Sequence, residues 1–435
     1  MSRGLGDVYK RQVPTTNTGA TTPIDLKGEA VLISAPEGWT VTASIDNSNP
    51  TTLSVTPPNQ DGAEGIITLQ VNKGVYWAID QIKVRSKKVI TSWYQEFLAG
   101  AEIVVNDVTI KKGSADDKVL INKEEVDLKV SLISDDNAEI AEDGLYFIGA
   151  GLNVTYKNSQ NKNKVLINDS PTGEKPVVTC TNTITLNGTS LICKNVALKL
   201  NENATYRFLT INTNNAPYVA FDGCNLEVPS TATQNAFCYA STAVAINSFT
   251  LHKSKIKIDK STEYNIISVG KDNFVNFNSI SVENTIFYGN NASTFKLFGV
   301  NNGNTTNAGI GSLVLRNTTF LNMHYAGYGI VNGDISTMIV KNNIIYADNN
   351  NNNVTVFRKR GNSSASLQAT DGEVADNIGY IIGDFYLNLW QGDTPPLENA
   401  EKIQKLDASP FESLDKSTGT YVLKPEYQGY GATIE

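Results

Sequence analysis

Cysteine, histidine and methionine are scarce in this chain: 435 residues carry four cysteines, two histidines and three methionines. The cysteines (Cys180, Cys193, Cys224 and Cys238) show no CxxC spacing and do not cluster with either histidine. That excludes the usual structural zinc sites. Cys193 falls at an apolar position and reads as a small core residue; the pairing of Cys180 and Cys238 stays open. No apolar run is long enough to cross a bilayer as a helix. A positive excess is missing too: 36 basic residues against 44 acidic ones give a net charge of −8. A general binder of nucleic acid or of anionic membrane is therefore excluded.

What is present is Val, Ile, Thr and Tyr in short runs, with abundant Asn, including "DNNNNN" at 348–353. Periodic runs of strong helix formers are few, so the expected class is all-β. The first twelve residues, "MSRGLGDVYKRQ", stand apart from that patterning and resemble a translated sequencing-adapter segment. Residues 1–12 are set aside on that ground. The expectation is that a natural N-terminus, with any lipid signal, has been lost.

Residues 13–88 alternate apolar and polar in runs such as "AVLIS", "WTVTASI" and "GIITLQV", broken by "APEGW" and "DNSNP". They predict a small immunoglobulin-like sandwich. Residues 89–435 form the second predicted domain. It opens on a short amphipathic helix at about 91–100, with Ser92 as N-cap, Gln95 three residues on, and Trp93 and Phe97 on one face. The helix is expected to cap the open end of a stack of strands.

That stack is predicted from a repeat. On the template apolar-x-apolar-x-N-x-x-apolar the chain gives "LICKNVAL" (191–198), "VAFDGCNL" (219–226), "FTLHKSKI" (249–256), "ISVENTIF" (280–287), "LVLRNTTF" (313–320) and "MIVKNNII" (338–345). Every apolar slot is filled by an apolar residue, at start-to-start spacings of 25 to 33 residues. "LYFIGAGL" (145–152) fits fully and "VLINDSPT" (165–172) in part; one further coil is expected within 365–382. A strand with a turn residue at its fifth place, recurring near thirty residues, is what a β-solenoid needs. Stacking at about 4.8 Å per coil turns the apolar slots into interior columns. The fifth slot holds Asn195, Gly223, Lys253, Asn284, Asn317 and Asn342. Asn and Gly tolerate the left-handed backbone of a sharp corner, and stacked amides can bond along the axis. Lys253 departs from this and suggests a wider corner. Asn317-Thr318-Thr319 is also a glycosylation acceptor triplet, but the repeat explains Asn317 better.

With this repeat the chain resembles the right-handed parallel β-helix proteins of the pectin-lyase-like superfamily, and among them surface lipoproteins of gut bacteria that carry a sandwich before the helix. The ending "SPFESLDKSTGTYVLKPEYQGYGA" (409–432) is similar to the tails of such proteins. The resemblance implies a right-handed parallel β-helix over roughly residues 90–435. It further implies a monomer at the extracellular or outer-membrane surface, anchored through the lost lipid signal, with a polysaccharide or oligosaccharide as partner.

Chemistry on such a scaffold belongs on the outward face of a stacked sheet. The slot before the corner reads Lys194, Asp222, His252, Glu283, Arg316 and Lys341. Asp222, His252, Glu283 and Arg316 are the candidates for acid–base work or for a hard cation such as calcium. The plainer reading is a solvated ladder of alternating charge. Ligand-binding candidates are His324, Tyr325 and Tyr328 in "NMHYAGYG", where aromatics could stack on sugar rings, and Arg358, Lys359 and Arg360 in "VFRKRGN", which could pair with uronate carboxylates.

The enzyme motifs of the superfamily are not met. No Gly-His-Gly flanks either histidine, no Arg-Gln-Trp cluster occurs, and there is no Arg-x-Pro-x-x-Arg. "SDDNAEIAEDG" (134–144) lacks the Gly position of an EF-hand and reads as a solvated turn. The expectation is a non-catalytic cell-surface polysaccharide-binding protein of a glycan-utilisation system, with no cofactor or metal assigned. The alternatives are a lyase or hydrolase of a pectin-like acidic glycan, or a structural or adhesive surface protein.

Overall fold

The structure is a computed structural model. It describes residues 15–17, 22–25, 29–44, 52–58, 62–73, 76–87, 90–157, 163–201, 207–212, 215–232, 236–240, 244–259, 264–269, 274–289, 295–300, 307–322, 335–348, 354–357, 368–390 and 394–434. Two compact units divide at Thr91/Ser92. The first is a two-sheet sandwich. One sheet runs in the order Thr15–Asn17, Tyr76–Lys87, Glu64–Lys73, Glu29–Ser34, and the other Thr22–Asp25, Thr52–Thr56, Thr40–Ser44. Period-2 alternation puts Leu53, Val55, Ile67, Leu69, Ile82 and Val84 between them, with Trp39.

The second unit is a parallel β-helix. Among the described residues a ten-stranded sheet, an eleven-stranded sheet and a five-stranded sheet each stack one strand per coil. All ladders within these three sheets are parallel. The predicted columns are register partners throughout: Leu191, Val219, Phe249, Ile280, Leu313 and Met338 in one, Cys193, Phe221, Leu251, Val282, Leu315 and Val340 in the next. Leu198, Leu226, Ile256, Phe287, Phe320 and Ile345 follow across the corner. Phe287 and Phe320 stack with ring centroids 5.0 Å apart. The coil expected within 365–382 consists of Ala369–Ala375 and Ile378–Ile381.

At the fifth slot every residue from Asn195 to Asp376 has φ between +48° and +65°. Lys253, at +48°, turns the same corner as its neighbours and not a wider one. Gly223 is needed for space as well as for φ, since a Cβ there would lie 2.1 Å from Asn195 Oδ1. The polar ladder along the axis sits one residue later than expected. Ser254, Thr285, Thr318, Asn343 and Asn377 point inward and are buried. Thr318 Oγ1 donates to Val282 O, and Asn343 Nδ2 donates to Leu315 O and to Asn377 Oδ1. Asn317 Oδ1, by contrast, has no partner.

Two expectations about the first coils are corrected. "LYFIGAGL" and "VLINDSPT" belong to coils, but one residue out of register: Tyr146 and Leu166 share the Cys193 column, while Leu145, Phe147, Val165 and Ile167 face outward. The helix, Trp93–Leu98, lies against that outward face and not over the end of the stack. Phe97 and Tyr94 each pack on Phe147 with centroids 5.6 Å apart. Its N-terminus is tied down by Ser92, which accepts from Gln95 N, and by Asp169, whose carboxylate accepts from Tyr94 N at 2.7 Å. The same face is covered by an antiparallel sheet of Ile103–Val105, Val108–Lys112, Lys118–Ile121 and Glu124–Asp127, so residues 103–127 are not coils. One slip in register exchanges inside for outside. Here both faces are apolar because both are covered, which removes the contrast that a pattern reads.

All four cysteines are buried, and none forms a disulfide. Burial pushes the thiols of Cys180 and Cys224 up to about 12, and those of Cys193 and Cys238 well up as well. They act as small apolar side chains. No helix among the described residues is long and apolar enough to cross a membrane.

At the far end the strands Phe411–Asp415 and Thr420–Leu423 form a hairpin that covers the eleven-stranded sheet from outside. Tyr421 Oη donates to Ala432 O, and Ala432 N donates to Thr319 Oγ1.

Candidate functional site

Six strand ends place Lys194, Asp222, His252, Glu283, Arg316 and Lys341 in one register column on the outward face of the ten-stranded sheet. Each stands next to the left-handed corner, which ends its strand and fixes how far the side chain reaches. Because parallel register aligns identical slots, neighbours in the column are about one strand spacing, 4.8 Å, apart at the backbone.

The four catalytic candidates do not act as one group. Asp222 pairs with Lys194, whose ammonium also donates to Val104 O of the covering sheet. His252, Glu283 and Arg316 form the second group. Glu283 Oε1 is 3.5 Å from His252 Nε2, and Glu283 Oε2 is 3.8 Å from Arg316. Lys341 turns away to Glu373 and Asp376 on the next coil.

Ser281, two residues before Glu283 and therefore on the same face, was not singled out by the repeat. Its hydroxyl donates to Glu283 Oε1 at 2.8 Å and lies 2.7 Å from His252 Nε2. With the proton directed at Glu283, the serine lone pair faces the imidazole, so Nε2 carries the hydrogen. A Ser–His–acid nucleophile requires the opposite arrangement, with the imidazole taking the serine proton. Burial holds the His252 imidazole below its ordinary value, against the pull of Glu283, Asp222 and Asp107 toward the charged form.

The other residues that the repeat missed come from the covering sheet. Its first turn, Asn106-Asp107, ends on this face: Asn106 Nδ2 donates to Phe221 O and to Thr250 Oγ1, and Asp107 accepts from Ser248 Oγ at 2.7 Å. More than one hundred residues separate those partners in sequence, and only the left-handed Asn106, φ +57°, hinted at a tight turn there. Beyond the turn the outward positions of the next coils are half-buried, apart from Ser281, which is buried. They carry Ser279, Ser312 and Thr337 in one register row, with Glu283, Arg316 and Lys341 alongside.

His324, Tyr325 and Tyr328, and likewise Arg358, Lys359 and Arg360, lie outside the described residues. Among the described residues no group of three His, Cys, Asp or Glu side chains could hold a metal ion. The acidic 134–144 segment is not one solvated turn: it turns at Asp136, which accepts from Asn153 N at 2.7 Å, and then supplies the strand Glu139–Ile140 of the eleven-stranded sheet, with Ile140 buried. Comparison of the chain with protein families, with curated proteins and with solved structures finds no match.

Proposed function

We propose that this protein binds a polysaccharide, without cleaving it, along the outward face of its ten-stranded sheet beyond the Asn106-Asp107 turn. The observation that carries the proposal is the register row of Ser279, Ser312 and Thr337, with Glu283, Arg316 and Lys341 further along the same strands, repeated once per coil on a half-buried outward face. A ligand whose hydroxyls recur at a fixed interval fits such a lattice, and each coil adds one set of donors and acceptors. The ions are matched by opposite charges within the protein, so a neutral or mildly acidic chain can lie across them without leaving a buried charge unpaired. The pectin-lyase-like resemblance points the same way, and with it a place at the cell surface.

Cleavage of an acidic glycan is a second reading, and one contact favours it: the Ser281 hydroxyl held between His252 and Glu283. There Glu283 would be the proton acceptor and Arg316 the partner of a uronate carboxylate.

A glycan array probed with and without calcium, together with absorbance of unsaturated uronides, separates the readings. Binding without product, abolished by Glu283→Ala with Arg316→Ala, is the expected result. Unsaturated or reducing-end product would move the assignment to the enzyme reading. Silence on every glycan would leave a structural or adhesive role.

A further inference from the structure

At the corner that follows the first three members of the charge column, the left-handed residues of three coils line a cavity of about 530 Å³. Asn195, Gly223 and Lys253 are those corner residues, and Thr172, Lys175 and Thr433 of the C-terminal tail line the cavity with them. Gly223 has no side chain there, and any Cβ would strike Asn195. A volume of this size suits a sugar-sized ligand.

The charged residues that line it are of one sign. Lys175 and Lys253 line the cavity, and no carboxylate does. Lys255, on the same coil as Lys253, is close enough to act on Lys175. Among the described residues Lys253 and Lys255 have no ion-pair partner, and Lys175 has only Asn225 Oδ1, at 3.1 Å. Asp222, the carboxylate nearest in the fold, is engaged by Lys194. Burial, with Lys255 adding to it and Asp222 opposing it, lowers the pKa of Lys175. In a chain of net charge −8, a concave site lined by ammonium groups and by no carboxylate favours an anion from outside.

We infer that this cavity binds a sugar-sized molecule bearing a tetrahedral oxyanion, a sulfate or phosphate ester. Lysine supports that choice over a carboxylate. Ammonium groups act as compact point charges around a multivalent anion, whereas planar carboxylates are matched by the arginine fork, and the cavity has no arginine. The hydroxyls of Thr172 and Thr433 and the amide of Asn195 remain for the sugar. The site is separate from the sheet face, and either assignment can fail alone.

The test is calorimetric titration of the full chain with glucose 6-sulfate, glucose 6-phosphate, glucuronate, glucose and inorganic sulfate. One of the two esters is expected to bind at least tenfold more tightly than glucose or glucuronate. Lys175→Gln with Lys253→Gln should weaken that binding at least tenfold at an unchanged unfolding midpoint, while the exposed Lys402→Gln leaves it unchanged. Tightest binding of glucuronate would overturn the oxyanion assignment. Equal binding of glucose and the esters, or an unaffected double variant, would overturn the site itself.

Discussion

The imidazole of His252 lies 2.7 Å from the hydroxyl of Ser281, and that hydroxyl gives its proton to Glu283 on the same strand. The contact joins two successive coils through a side chain that sits between the charges of the column. It also fixes the direction of the hydrogen bonds, which sets the first prediction.

His252 should titrate below the ordinary histidine value of about 6.5, because burial opposes its charged form. Glu283 favours that form, so Glu283→Gln should lower the midpoint further. The folded value lies below the unfolded one, so the unfolded chain takes up its proton first as pH falls. Stability linked to His252 is therefore complete above the unfolded value and is lost as pH drops from there to the folded value. NMR titration of the ring protons, with His324→Gln for assignment, measures this. A midpoint that rises in Glu283→Gln would contradict the arrangement.

Phe147 faces outward in its coil yet is fully buried under Tyr94 and Phe97. Phe147→Ala should cost about 3–5 kcal/mol, as a core residue does. Arg316→Ala, at an outward position without cover, should change stability by roughly 0.5 kcal/mol or less. Urea unfolding midpoints give the comparison. Equal effects would mean that the helix and the antiparallel sheet do not cover the first coils.

The internal ladder predicts a larger cost at position six than at position five. Asn343→Ala strands Leu315 O and Thr318 N, which it now satisfies, at about 1–3 kcal/mol for each group left without a partner. Asn317→Gly removes an amide whose oxygen has no partner and keeps the left-handed backbone, so it should be nearly neutral. Paired thermal melts decide it, and an Asn317→Gly loss as large as that of Asn343→Ala would refute the ladder.

Lys253 holds φ +48° without the local hydrogen bonding of Asn or the freedom of Gly. The left-handed region costs an ordinary residue about 1–2 kcal/mol, and glycine returns roughly 0.4–1 kcal/mol of this to the unfolded chain. Lys253→Gly should therefore raise the unfolding midpoint slightly, and Asn284→Val should lower it. A midpoint that falls in Lys253→Gly would show that the lysine side chain stabilises the corner.

Where a fifth-slot turn residue marks the corner, the register could be read directly, although the outward Ile192, Ala220 and Thr250 are buried too. From Leu191 to Ile345 the columns, the corners and the outward line of charges follow from alternation and from the residues that tolerate a left-handed turn. The same logic gave the sandwich, and the outward place of Ser281 was available from its spacing to Glu283. Between 145 and 172 it failed by one residue, because Leu145, Phe147, Val165 and Ile167 are covered and the two faces look alike.

The sequence by itself determined that the chain is a parallel β-helix after a sandwich, and which residues line its interior from Leu191 onward, because period two and the fifth-slot turn are local properties repeated on every coil. Only the tertiary structure decided what covers the outward face, since that depends on residues 93–127 meeting strands far along the chain. It also decided which charges neutralise one another, why Asp222 belongs to Lys194 and not to His252, and that three lysines are left together without an anion. Those are outcomes of side-chain reach and burial, and no spacing along the chain encodes them.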